Sequence, residues 1–260
     1  MSLRLPLRPT WVLAQVTFES TVRSWRGLGL ALLSFFPAVV VAGLYLAGTR
    51  GGDLVNDYEI LAVRLFLPLV LLLVSLMLAV PLFRDEIDEQ SIGYLITRTV
   101  GKPAIVLGKY VGYVGLASLL LLPSCLVAYG LAAAGAGSEG GMLSGVLPAL
   151  LVSTFLGILA YGAFYLFLGL ATRRALLVGL VYAFLWEFLI GSLPGSAPDL
   201  SVMHYLLTIP RLWTTSGPLA SYPSTLTLAQ AVGVPLGVAC ALLLLTLATF
   251  WRLPLSPSPE

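Results

Sequence analysis

Residues 84–109 read RDEIDEQSIGYLITRTVGKPAIVLGK. Four carboxylates (Asp85, Glu86, Asp88 and Glu89) come first, an apolar-patterned run follows, and Arg98, Lys102 and Lys109 close the stretch. On each side the chain stays apolar long enough to cross a bilayer. A charged side chain at the bilayer centre costs about 3 kcal/mol on insertion scales, so this block stands in water between two runs that stand in lipid. It reads as a cytoplasmic docking element, where another protein pushes on the membrane part. Within it, residues 85–97 are expected to form a short helix whose acidic first turn complements the positive end of the helix dipole. Ile87, Tyr94 and Leu95 then face the membrane or a partner. Gly101, Lys102 and Pro103 make a turn, and Pro103 suits the first position of a new helix.

The composition agrees. Hydrophobic residues make up 58% of the chain and charged residues 10%, against roughly a quarter charged in soluble domains; mean hydropathy is +0.98. This is an all-α, polytopic membrane protein with a single transmembrane domain over 1–260. Cys125 and Cys240 lie in apolar runs and read as small buried hydrophobes. No short apolar core ending in a small-residue cleavage site follows Arg4 and Arg8, so the first apolar run is expected to persist as a membrane helix.

In chain order, residues 8–26 pattern as an amphipathic helix lying on the membrane surface. Trp11, Phe18, Val22 and Trp25 share a face with Gln15, while Glu19, Arg23 and Arg26 turn away. Six spans are expected, at 27–47, 62–83, 104–134, 146–170, 175–192 and 229–250. Pro37 should kink the first. The polar stretch GTRGGDLVNDYE is expected as a loop before the second, residues 84–103 as the cytoplasmic coupling element, and GAGSEGG as a loop after the third. Arg173 and Arg174 mark a tight turn. Residues 193–228, with five prolines and the single histidine, are too polar to span and too apolar for free linker; they read as outer-surface or re-entrant structure.

Six spans place both termini on one side. Eleven of the 14 Lys and Arg residues then lie on that side, and only Arg50, Arg64 and Arg211 lie opposite. By the positive-inside rule both termini face the cytoplasm of a cell inner membrane.

Enzyme signatures are absent: there is no GxxxxGK[ST], HExxH or GxSxG. Any ATP and Mg²⁺ are expected in a separate chain, with no cofactor and no metal site in this one. A Mg²⁺-dependent membrane transferase built on Asp85–Glu89 is a weaker alternative, because such sites generally need two facing acidic clusters and one is present. Glu187, inside the fifth expected span, is the sharpest single residue. It either lines a translocation path or senses a cation, or it is satisfied by a neighbour such as a tyrosine and holds helices together.

The segment EQSIGYLITRTVGKPAIVLGKY resembles the loop between the second and third helices of type-2 ABC transporter permeases. That family shows an acid, Gly-Thr, a leucine-rich stretch, Pro-x-Ser-Arg and an apolar run ending in Gly-Lys. Here Glu89 stands at the acid, and Gln90 and Ser91 replace Gly-Thr. Tyr94, Leu95 and Ile96 supply the apolar stretch, Thr99 replaces the proline, and Gly101 and Lys102 replace Ser-Arg. Gly108 and Lys109 close the run. The Trp186-Glu187 pair followed by Leu193-Pro194-Gly195 is similar to the fifth helix of bacterial and archaeal members.

The resemblance implies a permease subunit of an ATP-driven exporter, working as a homodimer or as a heterodimer with a similar permease. It also implies two copies of a separate ABC-type ATPase and no nucleic-acid partner. The coupling residues implied are Asp85, Glu86, Asp88, Glu89, Gln90, Tyr94, Arg98, Lys102 and Lys109. A membrane subunit of the same kind that transmits force or signal to an envelope partner, without moving cargo, is the runner-up.

Overall fold

The computed structural model describes residues 25–88, 102–190 and 197–252. The expected surface helix falls outside them, apart from Trp25 and Arg26, and so does most of the coupling element. Every regular element among the described residues is helical. The chain runs α1 (Trp25–Leu46), α2 (Gly51–Leu61), a π-helical stretch (Ala62–Leu71), α3 (Leu72–Ala79) and α4 (Pro81–Asp88). It resumes with α5 (Lys102–Ala136), a 3₁₀ segment (Gly137–Leu143), α6 (Val146–Ala171), α7 (Ala175–Val181) and a second π-helical stretch (Tyr182–Ile190). A 3₁₀ turn (Ala197–Leu200), α8 (Val202–Trp213), α9 (Gly217–Ala220) and α10 (Leu228–Arg252) complete it.

Five of the described helical runs are long and apolar enough to cross a membrane: Gly27–Leu46, Gly51–Asp85, Pro103–Leu143, Val146–Ala171 and Leu228–Arg252. The fifth expected span, 175–192, contributes a shorter apolar helix, Ala175–Glu187, among the described residues, and the described helical run there reaches Ile190.

The second span also begins earlier than expected. The stretch taken as a polar loop becomes helical from Gly51, because Leu54, Val55, Tyr58 and Glu59 share one buried face. That face packs on α5, with the Tyr58 and Tyr129 rings edge-on at 6.4 Å between centroids. Asn56 points out, so a one-sided helix hides in a polar composition. The Gly-rich loop after the third span is likewise shorter, since α5 runs to Ala136.

In lipid, helices are held by close packing and interhelical hydrogen bonds rather than by hydrophobicity, and α6 is the hub. Sixteen of its 26 residues are buried, and it packs on α3, α5, α8 and α10. Tyr110 and Tyr113 of α5 donate to the Leu159 and Ile158 carbonyls of α6, at 2.9 and 3.2 Å. Ser124 of α5 donates to the Ser34 carbonyl of α1.

The expected outer segment is firmly packed. Helix α8 lies antiparallel against α6: Leu206 meets Ser153 and Gly157, and the Trp213 carbonyl rests on Gly145 at the start of α6. Pro210 has no N–H, which leaves the Leu206 carbonyl without its helical partner. The Ser153 hydroxyl donates to that carbonyl at 2.9 Å, so the proline is accommodated by a neighbouring helix.

Candidate functional site

Two polar constellations stand out. The first is where the charged element at 84–103 leaves the second span. Helix α3 ends at Ala79, Val80 keeps the helical backbone and α4 starts at Pro81. Asp85, Glu86 and Asp88 lie on α4, and Asp85 is exposed. Lys102 opens α5. Glu89, Gln90, Tyr94 and Arg98 lie outside the described residues.

Lys109, unlike the exposed Asp85, is buried. It is 3% exposed, its ammonium donates to the Leu82 carbonyl, and its Nζ sits 5.0 Å above the Phe83 ring, a cation–π contact. Phe83 in turn packs against Phe250 of α10, with ring centroids 5.7 Å apart. A small separate core of Phe83, Ile105, Val106, Leu166, Leu170 and Phe250 forms there. It joins the ends of four spans.

The second constellation surrounds Glu187, which is 3% exposed. Tyr182 donates to its Oε1 at 2.7 Å. Ser201 donates to Oε2, and so does the Met203 backbone N–H at 3.2 Å. Met203 is the second residue of α8, so the carboxylate takes one of the N–H groups that a helix start leaves without an internal partner. A negative group there also complements the helix dipole. Of the two roles open to Glu187 from sequence, this geometry is that of the satisfied, helix-holding acid with a tyrosine partner. Tyr161 and Tyr165 stand beside it, ring centroids 6.3 Å apart, with buried hydroxyls that make no hydrogen bond of normal geometry.

A second buried acid repeats the arrangement. Glu59 of α2 is 1% exposed and accepts the Leu219 N–H of α9 at 3.1 Å. Gly217 has φ +86° and no side chain, and a Cβ there would lie 2.2 Å from the carboxylate; only glycine suits both demands. The expected outer segment is thus pinned twice, by Glu187 at α8 and by Glu59 at α9. Glu59 escaped notice in the sequence because it sat in a presumed loop, although its spacing from Leu54, Val55 and Tyr58 marks a buried face.

Between the two pins, His204 holds Tyr222 through Nδ1 at 2.9 Å and faces Asp199 through Nε2 at 3.6 Å. Burial pulls the imidazole below its ordinary pKa, partly opposed by Asp199. The Tyr222 hydroxyl is pushed up to about 12 by burial and by the charge of Glu187. The acidic run and Glu187 are not brought together. The described part of the acidic run lies on α4 next to the small core around Phe83, whereas Glu187 meets α8, so the two do not form one site.

No curated protein matches the chain. The family described as ABC-2 family transporter protein matches residues 24–191, which covers the first four long apolar helices, the charged element and Glu187. This is well over half the chain, and it bears out the resemblance read from the segment at 89–110. The chain is a multi-pass membrane protein, and it belongs to the ABC-2 family of transporter proteins.

Proposed function

We propose that this chain is the permease subunit of an ATP-driven exporter, moved by a separate ABC-type ATPase that grips the element at 84–103. Support comes from the family membership and from the placement of that element. Helix α4 continues the second span into it, and the third span begins directly on leaving it at Lys102. A push there acts on two spans at once. The acids at 85, 86, 88 and 89 and the bases at 98 and 102 present both signs of charge to a partner, which favours a specific groove over a bare lipid surface.

In this reading both termini are cytoplasmic and the chain crosses an inner membrane six times, the short helix from Ala175 serving as the fifth crossing. Two copies of the chain, or one copy and a similar permease, carry two ATPase subunits that hold the ATP and Mg²⁺. The segment pinned by Glu59 and Glu187 closes the outer side. Glu187 enters the translocation path only when α8 lifts from it.

The observation that carries the proposal is the charged helical continuation between the second and third spans. The test is to purify the tagged chain from its native membranes and identify the nucleotide-hydrolysing subunit that comes with it. An ABC-type ATPase in the eluate is expected, reduced to background in Glu86→Lys/Glu89→Lys while insertion is unchanged. An eluate free of any such subunit overturns the proposal.

A further inference from the structure

We infer that Lys109 is a positioning residue for energy coupling, the fastener that ties the root of the coupling element to the third span. The inference rests on the coupling role proposed above and adds what transmits the push. With 3% exposure, its ammonium is not at a surface that an external subunit reaches. It lies seven residues beyond Lys102, about two helical turns into α5.

What it holds is a weak point. The second span stays helical through Val80, with the Val80 N–H on the Leu76 carbonyl and the Arg84 N–H on the Val80 carbonyl, but Pro81 supplies no N–H to the Met77 carbonyl. A helix lacking that bond bends most easily at the proline when its end is pushed, and the motion dissipates there instead of reaching the spans.

Two contacts brace this point. On one side Gly169 of α6 admits the Val80 backbone so closely that a Cβ would stand 2.7 Å from the Val80 oxygen. On the other, Lys109 donates to the Leu82 carbonyl and covers the Phe83 ring. Phe83 is fully buried and wedged against Phe250. The root of the coupling element is thereby fixed to the third span by Lys109, to the fourth by Gly169 and to the last by Phe250. A displacement at the element then moves these spans as one body. An apolar residue of similar length at 109 fills the space but leaves the carbonyl and ring unheld.

The experiment uses the chain co-expressed with its ATPase, in a Cys125→Ala/Cys240→Ala background with a reporter cysteine at the exposed Thr215. Three quantities are read: ATPase captured per permease, ATP hydrolysis by the complex, and the change in maleimide labelling at position 215 on adding a non-hydrolysable ATP analogue. In the parent complex the analogue changes labelling several-fold. Lys109→Met is expected to keep ATPase capture and hydrolysis but lose the labelling change, and Lys109→Arg to restore it. Gly169→Ala, which pushes Val80 off the fourth span without touching a charge, is expected to uncouple in the same way, and it decides the matter if Lys109→Met fails to accumulate.

A parent-like labelling change in Lys109→Met, or in Gly169→Ala where Lys109→Met does not accumulate, overturns the inference. Loss of ATPase capture in Lys109→Met with capture retained in Gly169→Ala also overturns it, because Lys109 would then be a contact. A parent chain that captures no ATPase and shows no nucleotide response refutes the coupling reading itself, a result distinguishable from either.

Discussion

Replacing Glu187 separates the two roles that a buried membrane acid can have. Glu187→Ala removes the acceptor for Tyr182, Ser201 and the Met203 N–H. Interhelical hydrogen bonds in membranes are worth about 0.6 kcal/mol each on average and up to about 1.7, and a charge at a helix start adds about 0.3–2 kcal/mol. The two bonds that reach α8, from Ser201 and Met203, and the dipole contribution together give roughly 2–4 kcal/mol for the alanine variant. Glu187→Gln keeps the shape and one carbonyl oxygen, and Tyr182 can accept from its amide, so only the charge contribution of about 1 kcal/mol is lost.

For a chain of this size, 1 kcal/mol moves Tm by about 2–4 °C. The expectation is a loss of about 8 °C for alanine and about 3 °C for glutamine, read by intrinsic fluorescence in detergent. Hydrogen exchange of Val202–Trp213 should rise in parallel, since α8 loses its anchor. Equal losses in the two variants, or an alanine variant that unfolds with the parent, refute the holding role. Glutamine that abolishes transport while Tm stays put would identify the charge as the working feature.

Two further outcomes follow from the outer segment. Gly217→Ala places a methyl group into the Glu59 carboxylate at a backbone angle that side chains rarely adopt. It should cost about 1–3 kcal/mol and raise protease sensitivity near α9, with Glu59→Gln producing a milder version. His204 binds its proton less readily folded than unfolded, so the unfolded chain takes up more protons as pH falls below the ordinary value of about 6.5. Stability contributed at His204 is therefore present above that pH and lost as acid is added. Tm scans from pH 7.5 to 5 should show the loss in the parent and a smaller one in His204→Gln. A slope identical in both proteins contradicts the assignment.

Four of the spans were legible because their apolar runs are long and bounded by charge, glycine or proline; Val146–Ala171 departs from its expected limits by one residue at its end. The start of the second span was hidden because composition outvoted spacing. Asp53, Asn56 and Asp57 make the stretch polar on average, while Leu54, Val55, Tyr58 and Glu59 keep one face for the interior. The fifth expected span, 175–192, is helical from Ala175 to Ile190 among the described residues, with its last two expected positions outside them. Glu187 was found from its cost in lipid, and its partners were not, since Ser201 and Met203 come from an element 14 and 16 residues further on. Lys109 was grouped with the charged block by sequence, whereas two turns of helix carry it into a core built from residues as distant as Phe250. Tertiary pairings of this kind have no local signature.

The central claim is that a nucleotide-hydrolysing subunit grips the element between the second and third spans from the cytoplasm. Its most direct test is a photo-crosslinking residue placed at position 86 in the chain as expressed in its own cell. The account predicts a covalent adduct with an ABC-type ATPase, lost when the crosslinker is moved to the outer-facing position 138. An adduct at 138 and none at 86, or labelling of position 86 by a reagent that cannot enter the cell, contradicts it.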